Sequence, residues 1–370
     1  MSRSPFLVVP VVLASACADD VTGPARTPVR PAAIVSSTDI TTVMRGLNSP
    51  RGLDFGPEGG LYVAEAGTTQ LTGACAPFLE GTMPATKCYS GTGSVSRLWG
   101  GSQVRIVSGL PSTFIMENGF ASGPQDVSFA GRGHAFVTLG WGGPPALRSA
   151  LGEAAADAGT LIQLQPSGTW RVVADVSAFE ASDNPAGGIV DSNPYGVLAE
   201  AGRTFVVDAG GNSLLEVAAN GNISLVSTFP RIAVPPPFNQ ADAVPTRVRR
   251  GADRALYVST LTGAPFLTGT AAIYRVRPGQ QPELFAGGFK TITDFAFAPD
   301  GGLYVLQFAT APVFFGGTGA LIRVAPNGIR STITTALSQP TGIVIGRDGS
   351  IYVSNRGTSS GDGEVVRITP

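Results

Sequence analysis

The chain has 370 residues, 43% of them hydrophobic and only 14% charged, with 49 glycines, 29 prolines and a net charge of −1. Charged residues fall well below the roughly 25% of an average globular chain, and no basic cluster supplies long-range attraction for nucleic acid, which excludes it as a partner. Many short apolar runs between Gly and Pro turns suit buried strands and argue against disorder.

Met1 to Cys17 carries Arg3, an apolar run from Pro5 to Leu13 and the small residues Ala14, Ser15 and Ala16 before Cys17. This reads as a secretory signal, too short for a membrane span, so an exported protein is expected. In the lipoprotein reading Cys17 is lipidated, becomes the first mature residue and makes a lipid anchor the only membrane contact. In the other, cleavage after Ala-Ser-Ala leaves no lipid. Residues 18–39, rich in Pro, Thr and Ala, form a flexible linker.

Residues 40–370 are expected to be one domain. Ile40 to Leu47 reads as a strand with no turn partner of its own. From Ser49 to Glu65, SPRGLDFGPEGGLYVAE reads as two short strands folded back by a Pro and Gly turn. The template returns at Gly123, Asn193, Val244, Ile292 and Gln339, giving six copies and marking a repeat protein. Each full unit holds four strands, but the last stops after its third, Glu364 to Ile368. If Ile40 to Leu47 supplies the missing strand, no sheet edge stays open. The expected fold is therefore all-β, a six-bladed β-propeller closed by its N-terminal strand.

Strands in such a sheet alternate direction, so every second connection lies on one side. The tight turns, such as GPEGG from Gly56 and APDGG from Ala298, share one face. The long connections 67–93, 140–159, 177–193, 230–243 and 309–318 share the other, where binding residues are expected. The first holds Cys75 and Cys88, read as a disulfide because two cysteines without histidine are too few for structural zinc. Closing that loop is worth roughly 3 kcal/mol. Ala146 to Ala156 reads as a short helix over the ring.

The only histidine, His134, falls in a tight turn, reads as a solvated turn residue and leaves no His-based catalytic pair. What remains is an oxygen-rich set at strand ends. Arg51, Asp126, Tyr195, Arg247 and Asp294 open the first strands; Glu65, Asp208, Thr260, Gln307 and Asn355 close the second. With Asp191 and Asn193 these supply the candidate ligand-binding set Arg51, Asp126, Asp191, Asn193, Tyr195, Asp208, Arg247, Asp294 and Asn355. Glu65, Asn193 and Asp208 are the candidate calcium ligands, since hard oxygens suit calcium. The competing reading has these side chains bonding nearby backbone, with Arg51–Asp126 and Arg247–Asp294 as salt links between blades.

The runs SPRGLDFGPEGGLYVAEAG, DSNPYGV from Asp191, FVVDAGGNSLLEV from Phe205 and PTGIVIGRDGSIYVSNRG from Pro340 resemble the ScyD/ScyE family across residues 40 to 370. The resemblance implies an NHL-type propeller and brings no enzymatic role with it. Turns AGRGH and GADRA depart from the usual pattern. The expected function is a monomeric binding or scaffolding module for a small molecule, glycan or protein. The alternative is a calcium-dependent hydrolase like the six-bladed lactonases of the gluconolactonase type, with a carboxylate of raised pKa as general base.

Overall fold

The computed structural model describes residues 39–80, 83–131, 133–311 and 317–369. The signal segment, Cys17, most of the linker and residues 312–316 of the last long connection lie outside the described residues.

Each copy of the repeat forms a four-stranded antiparallel sheet. In the first, Pro50–Phe55, Leu61–Glu65, Gly93–Trp99 and Ser102–Leu110 pair in that order. Four more sheets open at Pro124, Pro194, Pro245 and Ile292. The sixth consists of Gly342–Ile345, Ile351–Asn355, Ser360–Thr369 and, on its outer edge, the N-terminal strand Asp39–Asn48. That strand runs antiparallel to Ser360–Thr369, with Asp39 opposite Thr369 and Thr42 opposite Val366. The tight turns close as their residues dictate: Gly56 N–H donates to the Gly60 carbonyl at 2.8 Å, and Gly59 supplies the left-handed φ of 87°.

The apolar core lies between sheets. Val95 and Leu110 of the first pack on Val127 and Val137 of the second. Leu161 and Ala174 pack on Val197 and Leu215 of the third, and Phe205 and Leu214 on Val248 and Val258 of the fourth. Tyr257 and Ile273 meet Phe295 and Val305 of the fifth, and Leu306 and Leu321 meet Ile343 and Val353 of the sixth. Met44, Leu47, Val344 and Val365 of the sixth then pack on Leu53, Leu61 and Val63 of the first. Each fully buried aliphatic side chain contributes about 1.5–3 kcal/mol, so every sheet depends on both neighbours.

The Pro-x-Gly fingerprint has a physical cause. A Cβ on Gly196 would sit 2.6 Å from the Thr246 carbonyl oxygen, and one on Gly342 would sit 2.6 Å from that of Arg51. Gly52 leaves no room for a Cβ beside the Asp126 carboxylate. Glycine is required where the first strands of successive sheets meet.

The long connections carry more structure than their sequences suggested. Cys75–Glu80 and Met83–Tyr89 form a hairpin extended by Thr113–Ile115 and Ala121–Ser122 into an additional four-stranded sheet, with the Cys75–Cys88 disulfide joining its first two strands. The segment read as a short helix is two 3-10 turns, Pro145–Leu151 and Glu153–Ala155. An α-helix spans Val176–Asp183, capped by Asp175, whose carboxylate accepts from Ala178 N–H at 2.9 Å.

Candidate functional site

Two successive positions recur in the first strands, and nine of their twelve residues line one small space between the sheets. The earlier is Arg51, Gln125, Tyr195, Thr246, Thr293 and Thr341; the later is Gly52, Asp126, Gly196, Arg247, Asp294 and Gly342. The threonine hydroxyls stitch each sheet to the next, Thr246 to the Ile292 carbonyl at 3.0 Å, Thr293 to Pro340 at 3.0 Å and Thr341 to Pro50 at 2.7 Å. The charged residues of the later position share space that its glycines leave open. Arg247 pairs with Asp126 and lies 3.5 Å from Asp294, which Arg249 also meets at 3.0 Å. Asp126 and Asp294 accept from Val197 and Ile343 N–H at 2.8 and 2.9 Å, so each carboxylate also joins two sheets.

Burial pushes the Asp126 carboxyl up to about 6 despite Arg247 beside it. Burial works against the Arg247 charge too, but Asp126 and Asp294 outweigh it and hold the guanidinium above its ordinary value. These side chains leave no room for a water molecule among them. Of the two expected salt links, Arg247–Asp294 is present. Arg51 and Asp126 do not pair: Arg51 donates instead to Gln125 at 2.9 Å and to the carbonyls of Ala121, at 2.8 Å, and Gly357. Asp126 stands one position further along the strand and belongs to Arg247.

The second-strand ends form a recurring clamp. Glu65 accepts from Asn48 N–H at 2.6 Å, Asp208 from Asn193 at 2.6 Å, Gln307 from Lys290 at 2.9 Å and Asn355 from Ser338 at 2.7 Å. Each side chain thus holds the backbone that leads into its own sheet. Thr260 differs: it bonds both the N–H and the carbonyl of Ala272, each at 3.2 Å, in the third strand of its own sheet. Glu65 is completed by Ser96 at 2.5 Å and Arg105 at 2.9 Å, and Asp208 by Ser192 at 2.8 Å and Gly211 N–H at 3.0 Å. Asn193 and Asp208 are brought together, whereas among the described residues Glu65 bonds to neither. Among the described residues no three His, Cys, Asp or Glu side chains gather to hold a metal.

A cluster that the sequence did not reveal lies on the long-connection side. Lys87, buried in the additional sheet, donates to the Trp141 carbonyl at 2.9 Å and stands 5.1 Å from the Phe78 and Trp141 rings. Burial pulls its ammonium down to about 8, with Asp191 and Glu80 opposing. Glu180, on the helix, is pushed up to about 8 by burial and then by Asp208 and Asp191, and burial raises Asp208 to about 6. Glu180 Oε1 and Asp191 Oδ1 have no hydrogen-bond partner among the described residues. Strongly displaced titrations in one place mark a functional-site candidate. The available signal was composition: Lys87 and Lys290 are the only lysines in the chain, and both are buried.

These displacements set a pH dependence. The folded protein holds the Glu180 proton to about pH 8, while the unfolded chain releases it near the ordinary 4.5, so stability falls as pH rises across that window. Asp208 acts with the same sign between 3.8 and about 6, and Lys87 with the opposite sign between about 8 and 10.5. Glu180→Gln is expected to raise Tm by roughly 2–5 °C at about pH 8 and to change it little at about pH 5. Thermal melts across this range test it; an equal shift at both ends would remove the assignment.

No family model matches the chain, and no curated protein does either. Among solved structures it is similar to virginiamycin B lyase from Staphylococcus aureus, at 12% identity and a TM-score of 0.51, over 90% of this chain and 100% of that one. A catalytically inactive form of that lyase with quinupristin aligns at 13% identity and a TM-score of 0.50, over 90% and 100% of the two chains. A Bacteroides thetaiotaomicron protein of unknown function aligns at 10% identity and a TM-score of 0.51, over 90% and 76%. At such identities the likeness concerns the fold alone, and that fold is the β-propeller.

Proposed function

We propose that the chain is an exported six-bladed β-propeller of the ScyD/ScyE kind, closed by its N-terminal strand, and that it acts as a binding or scaffolding module through its long-connection face. Closure is supported by the pairing of Asp39–Asn48 with Ser360–Thr369 and by apolar packing between the last sheet and the first. Export is supported by the disulfide, and a lipid on Cys17 is the proposed tether.

One observation carries the binding reading. Of the nine large apolar side chains more than half exposed among the described residues, six (Leu71, Leu79, Met83, Met116, Ile189 and Phe238) lie on connections of that side, while Trp99, Leu284 and Ile329 are scattered over outer strands and tight turns. Exposed large apolar side chains gathered on one face mark a surface that meets a partner. Exposed apolar side chains spread over several connections suit a protein surface better than a small molecule or glycan. A photo-crosslinking group at Met83 is expected to trap a partner in the native host that the same group at Leu225, on an outer strand, does not. Equal trapping at both would remove the proposal.

The alternative, a calcium-dependent lactonase, needs Glu65, Asn193 and Asp208 released from their clamps. Millimolar calcium is expected to leave Tm and lactone hydrolysis unchanged. A calcium-dependent rise in Tm that Asp208→Ala abolishes would favour the metal reading, because a ligand bound only by the folded state stabilises it.

A further inference from the structure

On the opposite, tight-turn side, a cavity of about 350 Å³ opens between the second and third sheets. Its volume is within the roughly 300–1,000 Å³ of small-molecule sites. Phe136, Val173 and Val217 give it an apolar wall, and His134, Gln163 and Arg171 a polar one.

The polar wall has its hydrogens fixed by one chemical necessity. Arg171 Nε, which can only donate, lies 2.8 Å from the Gln163 side-chain oxygen, so the amide of this buried glutamine cannot be turned round. Its NH2 group therefore faces His134 Nδ1 at 2.8 Å, and that nitrogen must accept. The histidine hydrogen is left on Nε2. Donors on two side chains thus remain without a protein acceptor among the described residues, His134 Nε2 and the terminal nitrogens of Arg171. The carboxylate on the rim does not compete for them: Glu200 is held by Arg250 at 2.8 Å through two bonds and by Arg203 at 3.2 Å.

We propose that this cavity binds a small organic carboxylate, its acid group received by Arg171 and His134 and its flat apolar body lying against Phe136, Val173 and Val217. An arginine fork matches the two oxygens of a carboxylate, and fixed donors need no reordering on binding. This site is separate from the long-connection face and stands or falls without it.

The test titrates the full folded domain with 2-naphthoate and with its neutral counterpart 2-naphthamide, following binding by calorimetry and by chemical-shift mapping. The acid is expected to bind at least about tenfold tighter, with shifts confined to residues around Phe136 and Val217. Arg171→Gln should abolish the preference, and His134→Phe should reduce it. Both side chains are exposed, so the variants should melt like the parent. Equal affinity for acid and amide, a preference kept in Arg171→Gln, shifts on the long-connection face, or no binding at millimolar probe would each overturn the site.

Discussion

Arg247→Ala is expected to lower stability by about 3–5 kcal/mol and Tm by roughly 10 °C, because it strands two buried carboxylates. Asp126 and Asp294 would lose the cation that both of them face, and only Asp294 would keep another, Arg249. The sign with pH follows from burial. Asp126 already sits at about 6 in the folded state against an ordinary 3.8, and without Arg247 it moves further up. The folded variant then holds this proton where the unfolded chain has released it, so the loss is larger near pH 8 than near pH 5. Replacing all three charges at once, with Asp126→Asn, Arg247→Met and Asp294→Asn, is expected to recover most of the stability, since a buried ion cluster gains little over a well-packed neutral one. Thermal melts of the single and triple variants at both pH values decide the matter. A single variant within two or so degrees of the parent would mean that water reaches these carboxylates after all.

Removing residues 39–48 should have a still larger effect. The truncation takes Met44 and Leu47 out of a cluster in which both are fully buried, each worth about 2–5 kcal/mol as a large-to-small change. It also uncovers the outer edge of Ser360–Thr369, whose unpaired backbone groups become a template for aggregation. Against a net stability of about 5–15 kcal/mol, these losses are expected to leave no soluble monomer. Size-exclusion chromatography and a melt of the truncated chain check this. A soluble monomer with a cooperative melt close to that of the full domain would show that the N-terminal strand is dispensable.

The repeat sheets were legible because their determinants are local: alternating apolar residues, a tight turn rich in glycine and a Pro-x-Gly entry. The additional sheet was not, because it draws strands from two connections that the first sheet's third and fourth strands separate, and Pro77 and Pro84 disguise its hairpin. The first-strand polar residues were identified but misaligned. Register shifts fall at Pro50/Leu53, Pro124/Asp126, Pro194/Val197, Pro245/Arg247 and Ile292/Asp294. Such bulges re-aim side chains, so counting alternate positions from the proline merges two layers into one. That is why Arg51 and Asp126 looked like partners. The strand-end acids drew attention for their chemistry, yet their oxygens are occupied by backbone amides, which sequence cannot reveal. Lys87 and Glu180 come from separate connections, and only the folded chain places them on the same side of the molecule.

The pairing of Asp39 with Thr369 has a geometric corollary. Ser360–Thr369 runs away from the long connections, so the polypeptide both enters and leaves at a single point on the tight-turn rim. A tag or second domain joined directly at Asp39 or Thr369 therefore meets the folded residues on that side. A linker of a few residues could splice the two ends and let the chain be reopened between any two sheets.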